Sequence, residues 1–162
     1  MGLLKIDNRM GIITIPRAAS SSIENSIDGS LIPEEQFKNL PVRFAFMRNP
    51  YNRIESTYRM YLINNPWGYV LESFPAFVKD ICMRANRTDD PHITPQIEFC
   101  KYAEDVICWD FALLSKVLGV HIRHDGRSME LNCVWDDEAH DFYSQEFRHD
   151  IILWNTHLKK TS

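Results

Sequence analysis

Several features that mark large classes of protein are missing from this sequence. No apolar run in its 162 residues reaches the roughly 18–20 residues needed to cross a bilayer. The first residues have neither the apolar core nor the small-residue cleavage site of a secretory signal. An excess of basic residues is also lacking, and a formal net charge of −4 argues against a general nucleic-acid binder. We therefore expect one soluble, cytoplasmic domain over residues 1–162, with no membrane or nucleic-acid partner.

Two common ligand-binding patterns are missing as well. None of the 4 cysteines belongs to a CxxC pair and no zinc spacing appears, so we expect free thiols in a reducing compartment and no metal. The Walker A pattern GxxxxGK[ST] is absent, which disfavours an ordinary ATP or GTP hydrolase.

What the chain does contain is an alternation of short β-branched runs with helical patterns. Strands are predicted at 10–16, 42–47 and 105–109. Helices are predicted at 23–27, 51–64, 74–85, 95–102, 111–118 and 136–154, with a loop or short helix at 28–40. Strands that alternate with helices indicate an α/β fold with a mostly parallel sheet, in which ligands bind beyond the carboxyl ends of the strands.

The segment that follows the first predicted strand has the composition of an anion site. Small residues let a phosphate or sulfate approach the backbone N–H groups at a helix N-terminus, and Ala18–Ala19–Ser20–Ser21–Ser22 supplies them. Arg17 adds a fixed charge with a planar fork of donors. The alternative interpretation is a serine-rich helix cap beside an exposed arginine.

A second candidate follows the strand at 42–47. Arg48 stands at the strand end, Pro50 forces a turn, and Ser56 lies on the helix that begins there. A guanidinium and a hydroxyl in this arrangement can hold a phosphate. Arg53 and Arg59 lie on the same helix, and their alternative interpretation is solvated helix arginines.

This second segment, FMRNPYNRIESTYRMYL, closely resembles the region of sulfotransferases that holds the 3′-phosphate of 3′-phosphoadenosine 5′-phosphosulfate (PAPS). The matching positions are Arg48, Asn49, Pro50, Tyr51, Arg53, Ile54, Ser56, Tyr58 and Arg59. The resemblance implies that Arg48 and Ser56 contact the 3′-phosphate. It also implies a P-loop-like three-layer domain with helices flanking the sheet.

Two further segments resemble the same family. IPRAASSSI is similar to the loop that holds the 5′-phosphosulfate, in which Arg17 replaces the usual lysine and Ala19, Ser20, Ser21 and Ser22 fit the pattern. DPHITPQIEFC is similar to a segment of the carbohydrate-type branch, with matches at His92, Pro95, Gln96 and Cys100.

The resemblance implies an enzyme that moves a sulfuryl group from PAPS to an acceptor hydroxyl, on a saccharide or another small molecule, without a metal. Arg17 and His92 are the predicted catalytic residues, with His92 as the general base. The alternative interpretation of His92 is a structural loop histidine. Glu55 and Asp110 are weaker candidates for that base. The alternatives are a non-catalytic nucleotide-binding module on the same fold and a P-loop-type kinase.

Overall fold

The computed structural model describes residues 2–84, 89–108, 111–122 and 131–161. Within these ranges the chain forms five strands and eight helices. The strands are β1 (Gly2–Lys5), β2 (Met10–Thr14), β3 (Ser30–Leu31), β4 (Val42–Met47) and β5 (Asp105–Cys108). The helices are α1 (Ser20–Ser26), α2 (Glu34–Lys38), α3 (Pro50–Tyr61), α4 (Phe74–Arg84), α5 (Gln96–Cys100), α6 (Phe111–Leu118), α7 (Asp137–Glu146) and α8 (Arg148–Thr161).

The fold is α/β as predicted, but the expectation of a mostly parallel sheet is wrong. The strand order is β3-β1-β2-β4-β5, and only the β2–β4 and β4–β5 pairs are parallel. Strand β1 pairs antiparallel with both β2 and β3. The β1–β2 pair is antiparallel because a tight turn joins the two strands, in which the Asp7 carboxylate accepts the backbone N–H groups of Arg9 and Met10 at 2.6 and 2.8 Å. So short a connection can only join antiparallel strands.

Both faces of the sheet are covered. Ile13 and Ala45 point to a cluster with Phe37 of α2 and Phe99 of α5. The opposite face carries a second cluster, whose members from the helices include Ile23 of α1 and Leu114 of α6. Because adjacent residues of β2 serve opposite faces, Ile12 and Ile13 are both fully buried, as expected for a strand between two layers of helices.

Helix α3 begins where the sequence signals it and ends earlier than predicted. The Asn49 side chain accepts the N–H groups of Tyr51 and Asn52, and Pro50 occupies the first helical position. The predicted helix ran to Asn64, but α3 ends at Tyr61. A turn follows, in which the Asn65 amide bonds both the N–H and the carbonyl of Tyr69, at 3.0 and 2.7 Å.

The single long helix predicted at 136–154 is wrong, because the chain breaks at Phe147 into α7 and α8. Phe147 is buried and stacks on Tyr143, with ring centroids 4.5 Å apart. The break also places Asp150 at the N-terminus of α5, where its carboxylate accepts the N–H groups of Gln96 and Ile97 at 2.7 and 2.9 Å.

Helix α6 has the predicted bounds, and Gly119 follows it with a φ of +66°. All four cysteines are free thiols, as predicted. The predicted ends at Ala85 and Trp109 lie outside the described residues. No helix among the residues described is both long enough and apolar enough to cross a membrane.

Candidate functional site

The two predicted phosphate segments meet at one edge of the sheet. Strands β2 and β4 are parallel neighbours in which Thr14 pairs with Phe46, so the residues after both strands emerge together. One turn runs from β2 to α1 and the other from β4 to α3. A hydrogen bond joins them, because Arg48 Nη1 donates to the carbonyl of Arg17 at 3.2 Å.

The loop before α1 holds two non-glycine residues in the left-handed region. The φ angles of Arg17 and Ala19 are +64° and +61°. Such residues cost roughly 1 kcal/mol or more each and recur at functional sites. Helix α1 begins at Ser20, so the three serines form its first turn: Ser20 is half-buried, Ser21 is exposed and Ser22 is buried.

The guanidinium of Arg17 is hydrogen-bonded to Ser56. Its Nη2 donates to the Ser56 hydroxyl at 2.6 Å and to the Ser56 carbonyl at 3.2 Å, while its Nε reaches the same hydroxyl at 3.2 Å. Burial lowers the pKa of Arg17. The residue predicted to contact the phosphosulfate therefore shares one cluster with the serine predicted to contact the 3′-phosphate.

Arg48 lies among other positively charged side chains. Burial and the neighbouring Arg17 and Arg59 lower the pKa of Arg48 to about 10, and Glu55 opposes the shift only in part. The backbone of Arg48 is fixed independently of its side chain by Gln96, whose amide accepts its N–H at 3.1 Å and donates to its carbonyl at 2.9 Å. A bound anion would relieve the repulsion among these guanidinium groups.

The interpretation of Arg53 as a solvated helix arginine is wrong. Its exposed fraction is 2%. Its three nitrogens donate to the carbonyls of Pro16, Thr94 and Pro91, at 3.0, 2.9 and 3.0 Å respectively. One side chain therefore ties the loop before α1 to the segment that carries His92. Sequence reasoning missed this role, since the three acceptors lie far from Arg53 along the chain.

Arg59 is also more engaged than a solvated arginine. It pairs with Glu55 at 3.3 Å and donates twice to the carbonyl of Leu131, at 3.1 and 2.9 Å. Glu55 in turn accepts the indole N–H of Trp135 at 3.1 Å. These contacts occupy both carboxylate oxygens of Glu55, which disfavours it as a general base. Asp110, the other weak candidate, lies outside the described residues.

His92 is held in place by contacts with its neighbours. Its backbone carbonyl accepts from the Thr57 hydroxyl at 3.4 Å, and its Nδ1 lies 2.9 Å from the carboxylate of Asp90. Asp90 was not predicted as a functional residue, although an aspartate two positions before a histidine is a recognisable signal. The hydroxyl of Tyr61 lies 3.4 Å from the same nitrogen and interacts electrostatically with Arg17.

Comparisons of the chain with family models, with curated proteins and with solved structures find no match. Among the described residues, no group of three or more His, Cys, Asp or Glu side chains is arranged to hold a metal ion. The chemistry of the site is therefore inferred from its own side chains, which are a cluster of arginines with one serine hydroxyl and a histidine–aspartate pair on the segment that Arg53 connects to the loop before α1.

Proposed function

We propose that this protein is a PAPS-dependent sulfotransferase with a P-loop-like fold, and that it transfers a sulfuryl group to an acceptor hydroxyl on a carbohydrate. The observation that carries the proposal is the meeting of Arg17, Arg48 and Ser56 beyond the parallel strands β2 and β4. This is the edge at which α/β sheets bind nucleotides.

The charge of this cluster suits the donor. PAPS carries one phosphate on the ribose and a phosphosulfate at the other end of the nucleoside, so it brings negative charge to two points. Arg48, directly after β4, and Ser56, on α3, match the family residues that hold the 3′-phosphate. Burial and the neighbouring guanidinium groups together lower the pKa of Arg48, and a phosphate dianion would stabilise this like-charge cluster.

The chemistry needs little beyond positioning and charge. In an in-line displacement, guanidinium groups and backbone N–H groups stabilise the charge that develops on the bridging oxygen. Arg17 would do this from the loop before α1, once the incoming donor draws it away from Ser56. An arginine offers a permanent charge there but no proton for the leaving group near neutral pH.

A non-catalytic nucleotide-binding module is the second candidate, and the contact between Arg17 and Ser56 favours it. In the structure, Arg17 is hydrogen-bonded to Ser56. If it keeps this position when the nucleotide binds, it adds a positive charge to the 3′-phosphate site and does not neutralise the phosphosulfate. The two candidates differ in turnover, because both predict binding of the nucleotide.

Transfer from radiolabelled PAPS to a panel of saccharide and small hydroxyl acceptors separates the two candidates. For the enzyme we expect labelled product, and we expect His92→Ala to lower turnover at least roughly a hundredfold, the usual contribution of a general base. The matched control is Arg9→Ala, an exposed arginine before β2, at the opposite end of the strand. Absence of transfer to every acceptor, with nucleotide binding intact, would favour the binding module.

A further inference from the structure

The carboxylate beside His92 has all of its lone pairs engaged by hydrogen-bond donors. Asp90 is 0% exposed. Its Oδ1 accepts the backbone N–H of His92 at 2.9 Å and lies 2.9 Å from His92 Nδ1. Its Oδ2 accepts the hydroxyls of Tyr61 and Tyr69, at 2.5 and 3.0 Å. A carboxylate has about four acceptor positions, so these donors fill it.

The protonation states of the neighbours follow from this network. Burial opposes ionisation of Asp90, but the hydrogen bonds from His92, Tyr61 and Tyr69 outweigh it and hold the pKa of Asp90 below its usual value. Burial, together with the hydrogen bond to Asp90, raises the pKa of Tyr61. Asp90 is therefore ionised at neutral pH, and Tyr61 keeps the proton that it donates.

An ionised carboxylate has no proton to give, so the 2.9 Å contact is a hydrogen bond only if His92 Nδ1 carries one. The hydroxyl proton of Tyr61 is already directed to Oδ2 and does not serve Nδ1. The neutral imidazole therefore holds its proton on Nδ1 and its lone pair on Nε2. The side chain of His92 is 31% exposed and that of Asp90 is buried, so the accessible part of the pair belongs to the imidazole.

We infer that Asp90 is a positioning residue that locks His92 in the tautomer whose Nε2 can accept a proton from the acceptor hydroxyl. This inference rests on the proposed sulfuryl transfer. In that step the acceptor oxygen bonds to sulfur while its proton passes to Nε2. The bond between sulfur and the bridging oxygen breaks, and its electron pair leaves with adenosine 3′,5′-bisphosphate. The Asp90 carboxylate then balances the charge of the imidazolium.

The surrounding chain holds the pair rigidly. Thr94 donates its hydroxyl to the carbonyl of Asp90 at 2.9 Å. Tyr61 comes from the last turn of α3, and Tyr69 is fixed by the amide of Asn65. A base built on such a frame loses little entropy in reaching its reactive geometry.

Nitrogen NMR of protein labelled with ¹⁵N-histidine tests the tautomer without any assay of activity. At a pH about two units above the reference histidine pKa of roughly 6.5, we expect the His92 signals of a protonated Nδ1 and an unprotonated Nε2. In Asp90→Asn the amide can donate to Nδ1, so we expect the proton to move to Nε2. Loss of the signals in His92→Gln assigns them. The conservative control is Tyr69→Phe, which keeps the carboxylate and should keep the wild-type tautomer.

The turnover of Asp90→Asn completes the test. We expect a loss on the order of a hundredfold to ten-thousandfold, with the affinity for adenosine 3′,5′-bisphosphate within about twofold of wild type. A proton on Nε2 in the wild type, or an unchanged tautomer in Asp90→Asn, would overturn the inference. If the Asn variant does not fold, the wild-type tautomer alone decides. Failure of the proposed function has a different signature, in which the tautomer is as expected but the protein does not bind the bisphosphate.

Discussion

Replacing Arg48 with alanine is expected to weaken binding of adenosine 3′,5′-bisphosphate by roughly a hundredfold, which corresponds to about 2.7 kcal/mol. Burial, and after it the crowding by Arg17 and Arg59, lowers the pKa of Arg48 to about 10. The same crowding means that a bound phosphate gains from several guanidinium groups at once. Isothermal titration calorimetry measures the weakening.

The fold should survive this change. Gln96 bonds the backbone of Arg48 on both its N–H and its carbonyl, and these hydrogen bonds do not involve the guanidinium. The substitution removes the 3.2 Å hydrogen bond from the guanidinium to the carbonyl of Arg17. We therefore expect the free energy of unfolding to fall by no more than about 1 kcal/mol. Arg9→Ala is the matched control, and it should bind like the wild type. Equal binding by Arg48→Ala and wild type would remove Arg48 from the site.

Replacing Arg53 with methionine is expected to lower the free energy of unfolding by about 3 kcal/mol. Methionine fills a similar volume, but it leaves the carbonyls of Pro16, Pro91 and Thr94 without their donor. Burial lowers the pKa of Arg53, because a buried charge loses its hydration. Removing that charge therefore recovers part of the free energy that its desolvation costs. Three carbonyls lose their hydrogen-bond donor at once, and this costs more free energy than the removal of the buried charge recovers. Denaturant unfolding measures the difference.

Arg84→Met is the matched control for this second prediction. Arg84 also lies on a helix, but its side chain is 41% exposed and it pairs with Asp80 at 2.8 Å. Partly exposed pairs of this kind contribute about 1 kcal/mol or less. A destabilisation in Arg53→Met no larger than that in Arg84→Met would mean that the buried guanidinium does not hold the loop before α1 and the His92 segment together.

The sequence carried enough information to predict the central strands and several of the helices. Strands such as β4 consist of residues with high β propensity, and Pro50 marks the start of α3. Strand β1 could not be predicted in this way, because Leu3 and Leu4 are a short apolar pair that is stabilised by pairing with a strand on each side. The break at Phe147 has no glycine or proline to announce it, and it coincides with the capping of α5 by Asp150.

In the candidate site, too, local sequence patterns predict some of the features and not others. A charged residue placed just after a strand, followed by a serine on the next helix, is a local pattern, and it suffices to identify Arg48 and Ser56 as candidates. The contact of Arg17 with Ser56 and the burial of Arg53 depend on segments 37 to 41 residues apart in the chain. No local pattern specifies such contacts. The pairing of Asp90 with His92 is local, but its two tyrosine donors come from α3 and the loop that follows it.

The most direct test of the central claim compares adenosine 3′,5′-bisphosphate with adenosine 5′-monophosphate in binding to the wild-type protein. The two ligands differ only in the 3′-phosphate, which Arg48 and Ser56 are proposed to hold. We predict that the bisphosphate binds at least roughly a hundredfold more tightly, since a phosphate held by charge-assisted hydrogen bonds is worth about 3 kcal/mol. Equal affinity for the two nucleotides would contradict the assignment of this cluster as a 3′-phosphate site.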